Sequence, residues 1–312
     1  YEDKMKIGTI DIGTNSMRLL TADYQDGKII NRKKYVNTTR IGQGVDNNGY
    51  ISKEAIDRNI QALKEFKAIC DEEGCEYVCC MGTSALRDSK NSDEFIALAK
   101  QEAGVDVEVI TGDRESNLGF LGVLEGVEKD ELEEILVIDI GGGSTEFIVG
   151  DKNGVNFCKS ENIGALRLTE KFLKHEIVSD DELKQTISFI EDTIEDTINN
   201  IKSKNIKKLV GIGGTVTSVS AMNQQLEVYS MEKVHNSKIC KKELDEILQM
   251  LKNMTLEDKK RLKGLQPKRA DIITAGVVIL DIIMEKLELN EIIVSEYDNL
   301  EGLMCQIAKK MS

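Results

Sequence analysis

The sequence predicts an α/β protein made of two similar halves, and three observations carry the prediction. The stretch TIDIGTNSM, beginning at Thr9, returns 128 residues later as VIDIGGGST from Val137. Segments Thr9 to Leu20 and Val137 to Ile148 agree at Ile10/Ile138, Asp11/Asp139, Ile12/Ile140, Gly13/Gly141 and Ser16/Ser144. Each copy opens a meander of short strands that gives way to strands alternating with helices, the pattern of an α/β chain. Finally, the 312 residues exceed the ~250–300 at which a single core stops growing, so two domains are expected.

The elements follow in order. KIGTIDIG (6–13), MRLLTADY (17–24) and KIINRKKYV (28–36) read as three antiparallel strands joined by turn residues. In SKEAIDRNIQALKEFKAICDEEG, Ile56, Ile60, Leu63, Phe66 and Cys70 recur at helical spacing. EYVCCMG is a strand, SDEFIALAKQEAG a helix, VEVI (107–110) a strand, and Asp113 to Gly126 a helix. After the acidic segment EKDELEE the pattern restarts with strands ILVIDIG, TEFIVG and VNFCKS, then helices. Ser179 and Glu182 stand in capping-box spacing at the start of a helix from Asp180. KKLVGIG is a strand running into GGTVTSVSAM, a mostly apolar helix spans Ala270 to Lys286, and IIVS leads into a last helix. With a single proline, Pro267, no Pro-rich linker marks a boundary.

Composition narrows the function classes. Against 41 Lys+Arg stand 55 Asp+Glu, a net charge of -14 that argues against generic nucleic-acid or membrane binding, so an anionic ligand has to be held by local features. The apolar run IITAGVVIL (272–280) is far short of the ~18–20 residues of a membrane span, and no signal pattern precedes Ile7, so a cytoplasmic protein is expected. Tyr1 to Lys4, ahead of Met5, read as added or trimmed sequence. Seven cysteines without a C-x-x-C pair suit a reducing compartment. Cys70, Cys75, Cys79 and Cys80 read as buried thiols in preference to a zinc site, since His175 and His235 lie far away in sequence.

Both repeated stretches end a strand in small residues, whose successive N–H groups form a nest for phosphate oxygens. One such turn alone is an ordinary tight hairpin. Two, with Asp and Ser at matched places, point to a site made of Thr14, Asn15 and Ser16 in one half and Gly141, Gly142, Gly143, Ser144 and Thr145 in the other. A third Gly-rich turn, GIGGTVTSVSA (211–221), puts Gly213, Gly214 and Thr215 between a strand and a helix, where N–H groups again face an anion. Asp11 and Asp139, besides capping their turns, are suited to Mg²⁺ or another divalent cation, which wants few carboxylates and keeps its waters. In the repeat alignment Arg18 stands where the second copy has Glu146, so one hairpin offers a cation and the other a further acid for metal. Arg18 and Arg87 are candidate phosphate forks, with a surface ion pair as the plainer role. No segment fits the P-loop or the Rossmann fingerprint.

DIGTNSMRLL, TSALRD (83–88), ITGDRESNLGFLGV (110–123), VIDIGGGSTEF, GIGGTVTS and KRADIITAG (268–276), in that order, resemble the exopolyphosphatase and guanosine pentaphosphate phosphohydrolase family, of the sugar kinase, Hsp70 and actin superfamily. The resemblance covers nearly the whole chain. It implies two ribonuclease H-like (actin-like ATPase) domains with an interdomain cleft, expected as 1–122 joined by a C-terminal helix 299–312, and 123–298. It implies that the two hairpins face each other across the substrate, and that Arg269 in KRAD lies near the cleft. It places the catalytic base in the stretch after Ile-Thr-Gly, here Glu115; the family commonly has adjacent glutamates where this chain has Arg114-Glu115. By itself Glu115 reads as an acid in the first turn of a helix. In SEYDNLEGLM (295–304) the family usually has a basic residue where this chain has Leu300. Only ten residues follow Gly302, so the helical domain of the family's long members is expected to be missing.

The expected function is a Mg²⁺-dependent phosphohydrolase that removes terminal phosphate from polyphosphate, the 5'-phosphate of guanosine pentaphosphate, or both, by in-line attack of water. No nucleic-acid or membrane partner is expected, and a homodimer is admitted without being specified. The rivals are a small-molecule kinase of the same superfamily, which would phosphorylate an added acceptor from ATP, and a non-catalytic, actin-like nucleotide-binding module.

Overall fold

A computed structural model describes residues 4–127 and 133–311; Tyr1–Asp3 and the first five residues of the acidic segment lie outside the described residues. The chain divides into two compact units, one of Tyr1–Val127 with Tyr297–Ser312 and the other of Glu128–Glu296. The expected limit at 122/123 falls inside the helix Gly112–Glu125.

In the first unit, β1 (Met5–Ile12), β2 (Met17–Gln25), β3 (Lys28–Asn37), β4 (Tyr77–Gly82) and β5 (Val107–Val109) form one sheet in the order β3-β2-β1-β4-β5. The first three are an antiparallel meander, and β4 and β5 run parallel to β1. Strand alternation sorts the buried side chains by face. Ile10, Ile12, Met17 and Leu19 pack with Ile56, Ile60, Leu63 and Phe66 of the helix Lys53–Glu72, as the helical spacing predicts. Ile7, Leu20 and Ala22 pack with Leu118 of Gly112–Glu125 and with Leu300, Leu303 and Met304 of the last helix, Asn299–Met311.

The second unit repeats this plan. Its strands β6 (Ile135–Ile140), β7 (Thr145–Asp151), β8 (Gly154–Glu161), β9 (Lys208–Ile212), β10 (Lys238–Cys240) and β11 (Glu291–Val294) are ordered β10-β11-β9-β6-β7-β8. Without the edge strand β10 this is the same order as the first sheet. The sequence reading omits β10, too short for any period, and the helix Lys241–Lys252, whose Leu244, Ile247, Leu248 and Leu251 do recur at helical spacing and are buried. The predicted capping box is present at Ser179 and Glu182. The apolar helix starts at Ile273 rather than Ala270, since Pro267–Arg269 forms a 3₁₀ turn. Cys70 and Cys80 are buried, Cys75 and Cys79 half-buried, and all seven cysteines are free thiols. Among the described residues no helix is long and apolar enough to cross a membrane.

Two glycines let the last helix lie against Gly112–Glu125. A Cβ on Gly122 would fall 1.7 Å from the Asp298 carbonyl oxygen, and one on Gly302 would fall 1.9 Å from that of Leu118. Backbone cannot yield as a side chain end can. Gly122→Ala is therefore expected to destabilise the protein by about 1–3 kcal/mol or more, the usual cost of overpacking, read as a lowered urea midpoint. An unchanged midpoint would mean that the two helices separate freely.

Candidate active site

In the first unit the C-terminal ends of three parallel strands lie level, Ile12 opposite Gly82 and Gly82 opposite Val109. In α/β sheets this is the edge from which loops reach a ligand. The turn after β1 is closed by the Gly13 N–H donating to the Ser16 carbonyl at 3.0 Å. The Thr14 and Asn15 carbonyls accept from the Gly42 and Arg40 N–H groups, each at 3.0 Å. With its carbonyls turned toward residues 40–42, the turn keeps the Thr14 and Asn15 N–H groups without a protein acceptor among the described residues, as an anion nest requires. Thr14 Oγ1, Asn15 Oδ1 and Asp11 Oδ1 are buried and lack a hydrogen-bond partner. Ser16 Oγ instead accepts from Asn15 Nδ2 at 3.1 Å.

The same edge brings Arg87 and Glu115 together. Arg87 lies in the last turn of the short helix Ser84–Asp88 that follows β4, and Glu115 sits in the first turn of Gly112–Glu125, whose start is capped by Thr111 Oγ1 accepting from the Arg114 N–H. Arg87 Nη1 donates to Glu115 Oε2 at 2.7 Å and to the Ile110 carbonyl at 2.9 Å. The Glu115 side chain is only 9% exposed, so this pair is more than a solvated surface contact. The expected base and the expected phosphate clamp are thus partners of each other, a link that nothing in their spacing suggests.

Arg18 is used differently from its expected role. It lies directly across from Asp11 on β2, as Glu146 lies across from Asp139 on β7. Its Nη2 donates to Asp11 Oδ2 at 2.6 Å and Asn299 Oδ1 at 2.7 Å, and its Nη1 to Asp298 Oδ2 at 2.7 Å. The fork expected to hold phosphate oxygens is spread over two carboxylates and an amide. The one signal the sequence carries for Asp298 is its capping-box spacing to Glu301. Asp298 Oδ1 accepts from the Leu300 N–H at 3.0 Å and Glu301 Oε2 from the Asp298 N–H at 2.9 Å, starting the last helix. Leu300 is buried and its carbonyl accepts from Thr9 Oγ1 at 3.1 Å, so this turn docks the helix on β1. Burial pushes the Asp11 carboxyl above its usual range, with Arg18 partly offsetting it. Burial opposes ionisation of Asp298 too, but Arg18 and Lys34 outweigh it and hold that carboxyl well below the usual range.

In the second unit the Gly13 turn is reproduced, with the Gly141 N–H donating to the Ser144 carbonyl at 2.9 Å. Here the carbonyls are taken by the start of the helix Ala165–Phe172. Gly141 accepts from the Ala165 N–H at 2.9 Å, Gly142 from the Leu166 and Arg167 N–H groups at 3.0 Å each, and Gly143 from Arg167 Nε at 2.7 Å. The hydroxyls of two expected phosphate-binding residues are engaged within the protein: Ser144 Oγ donates to Glu146 Oε1 at 2.8 Å, and buried Thr145 Oγ1 to the Ile163 carbonyl at 2.8 Å. Ser160 Oγ adds a second bond to Glu146 Oε1 at 2.7 Å. Arg167 and Ser160 escaped the sequence reading because neither belongs to a repeated or Gly-rich stretch.

The third turn joins this site. Ile212 at the end of β9 is opposite Asp139. Gly213, at φ +86°, passes so close to Asp139 that a Cβ would lie 2.3 Å from Oδ1, and a Cβ on Gly214 would lie 2.2 Å from Arg269 Nη1. Asp139, Gly213, Gly214 and Arg269 are therefore neighbours. Thr215 packs its side chain against Gly276, where a Cβ would lie 2.6 Å from its Oγ1.

The Ppx/GppA phosphatase family matches residues 21–311. The chain belongs to this family. It is 36% identical to a bifunctional 3-dehydroquinate synthase/phosphatase of Fusobacterium nucleatum, over 98% of this chain and 47% of that protein, so it spans about half of that relative's length. It is 31% identical to exopolyphosphatase 2 of Mycobacterium tuberculosis, over 97% of this chain and 98% of the relative. The crystal structure of the Aquifex aeolicus Ppx/GppA family member shares 32% identity and superposes with a TM-score of 0.81 over 99% of both chains.

In this member of the family no group of three or more His, Cys, Asp or Glu residues among the described ones could hold a metal by itself. The donors that are present suit Mg²⁺ nonetheless. The second unit sets two buried carboxylates, Asp139 and Glu146, side by side on adjacent strands, and in the first unit Asp11 keeps one oxygen without a protein donor. One or two hard oxygen ligands, completed by water and substrate phosphate, are how Mg²⁺ is usually held.

Proposed function

We propose that this Ppx/GppA phosphatase is an exopolyphosphatase, releasing inorganic phosphate from the end of a polyphosphate chain with water as the nucleophile. The carrying observation is the pair of half-buried Arg87 and buried Glu115 on the strand edge that also bears the Thr14–Asn15 nest. The nest N–H groups bind phosphate oxygens, Arg87 holds Glu115 in one orientation, and the Glu115 carboxylate orients the water and accepts its proton. In the second unit the Gly142 and Gly143 amides and the Arg269 guanidinium beside Gly214 serve as further phosphate contacts, and Asp139 and Glu146 would hold the cation. Mg²⁺, when bound, supplies neutralisation of the phosphate charge. The names of relatives such as the M. tuberculosis exopolyphosphatase support this substrate. The reading extends to guanosine pentaphosphate as a second substrate and to a cytoplasmic enzyme, with a homodimer admitted but not specified.

The test is phosphate release from polyphosphate of defined length, guanosine pentaphosphate and ATP. Release from polyphosphate, abolished by EDTA and restored by Mg²⁺, is expected, since a net charge of -14 leaves a polyanion in need of a counter-cation. Undiminished turnover in verified absence of metal would remove the cation from the reading. Phosphorylation of an added acceptor from ATP would favour a kinase instead.

A further inference from the structure

In the first unit, Asp11, Asp298 and Glu301 are paired with Arg18, Lys34 and Arg32, three acids against three cations. Arg18 bridges Asp11 and Asp298; Lys34 Nζ lies 3.4 Å from Asp298 and 3.0 Å from Glu301; Arg32 Nη1 lies 2.7 Å from Glu301 while its guanidinium stacks 3.7 Å over the Tyr297 ring. All three acids are at most 4% exposed. The arrangement has one anomaly. An arginine beside a carboxylate tends to close on both of its oxygens with a parallel fork, yet Arg18 grips only Asp11 Oδ2. Asp11 Oδ1 is buried with no donor at all. Buried carboxylate oxygens are rarely left so, and one that stands at a strand end beside an anion nest is placed to meet a ligand.

The geometry explains what stops the fork from closing. Nη1 is drawn away to Asp298 Oδ2 and Nη2 is shared with Asn299 Oδ1, both at the start of the last helix. That helix start is itself fixed, by the Asp298–Glu301 box and by the close approach at Gly122. We propose that Asp298 is a positioning residue for the active site: by holding Arg18 off, it keeps Asp11 Oδ1 without a protein donor, as an acceptor reserved for a divalent cation or that cation's bound water. The identity of the ligand rests on the phosphohydrolase reading above. The role of Asp298 acts through Arg18 and needs no contact with substrate. In the second unit the corresponding cross-strand residue is Glu146 and no such device is needed, since the neighbour of Asp139 is an acid.

Asp298→Asn tests this, because Asn caps a helix start as well as Asp does while losing the charge that holds Arg18. The probe is Mn²⁺ alone, titrated into the full chain and followed by the paramagnetic resonance signal of the free ion. The variant is expected to bind Mn²⁺ about 10-fold more weakly, the usual effect of losing a residue that orients a metal ligand, with a melting temperature near that of the parent. Loss of a nearby negative charge alone would also weaken a cation, so the deciding variant is Asp298→Asn combined with Arg18→Lys. Lysine keeps the charge but has no fork to close on Asp11, so affinity should recover most of the way. Unchanged Mn²⁺ affinity in Asp298→Asn, or a double variant as weak as the single one, would overturn the proposal. Should Asn at 298 prevent folding, Asp298→Ser, also a good cap, is measured with the same outcomes. Failure of the phosphohydrolase reading would show separately, as a parent protein that releases no phosphate from polyphosphate.

Discussion

Glu115→Gln is expected to lower kcat for phosphate release by about 10² to 10⁴-fold, the share usually supplied by a positioned general base. Glutamine keeps the size and one acceptor oxygen, so it can still receive the Arg87 bond, but it cannot take a proton from water. KM should stay the same or fall, since a negative charge close to phosphate is removed. From sequence, a Glu at a helix start would be worth only about 0.3–1 kcal/mol to stability. The structure raises that figure, because the carboxylate is buried against Arg87 at 2.7 Å, and weakening a charge-assisted bond of this kind costs about 1.5–3 kcal/mol. A modest fall in melting temperature should therefore accompany the kinetic loss. A folded variant retaining more than about a third of the parent kcat would reduce Glu115 to a helix-start acid and turn attention to Glu146 as the base.

Arg87→Ala should lower kcat/KM by about 10²-fold or more, as expected when one partner of a desolvated charge pair is removed and the other is left unheld. Both terms should suffer: kcat because Glu115 is no longer oriented, and KM because a cation is lost from the phosphate-handling edge. Arg87→Lys should recover only part of the activity. A lysine can meet Glu115 or the Ile110 carbonyl, but it lacks the planar group that sets both bonds at once. The link between the two residues is checked by combining Arg87→Ala with Glu115→Gln. If Arg87 acts through Glu115, the double variant is little worse than Glu115→Gln, because contacting residues are not additive. Fully additive losses would show that Arg87 serves the phosphate independently.

Much of the architecture was legible in the chain because it depends on local pattern. The recurrence of Asp-Ile-Gly at the end of an apolar run predicted two hairpins, and both turns close by the same bond, Gly13 to Ser16 and Gly141 to Ser144. Helical spacing from Ile56 to Cys70 predicted the helix Lys53–Glu72 and its buried face. The ordered motifs pointed to the family before any fold was in hand, and the match over residues 21–311 establishes it. What local pattern does not contain is the use to which a polar side chain is put. Ser144 and Thr145 look alike in a Gly-rich turn, yet one hydroxyl holds Glu146 and the other a backbone carbonyl 18 residues away. Arg18 reads as a phosphate fork until the last helix comes to rest beside it. Its partner Asp298 is 280 residues further along the chain, and Glu115 is 28 residues from Arg87. Hydrogen bonds and ion pairs are short-ranged and directional, so their partners are chosen only after the strands align and the helices dock. The sequence by itself determined the repeated α/β plan and the Gly-rich turns that end its strands; the tertiary structure decided which charges pair with one another within the protein, because those partners meet only once the helices dock.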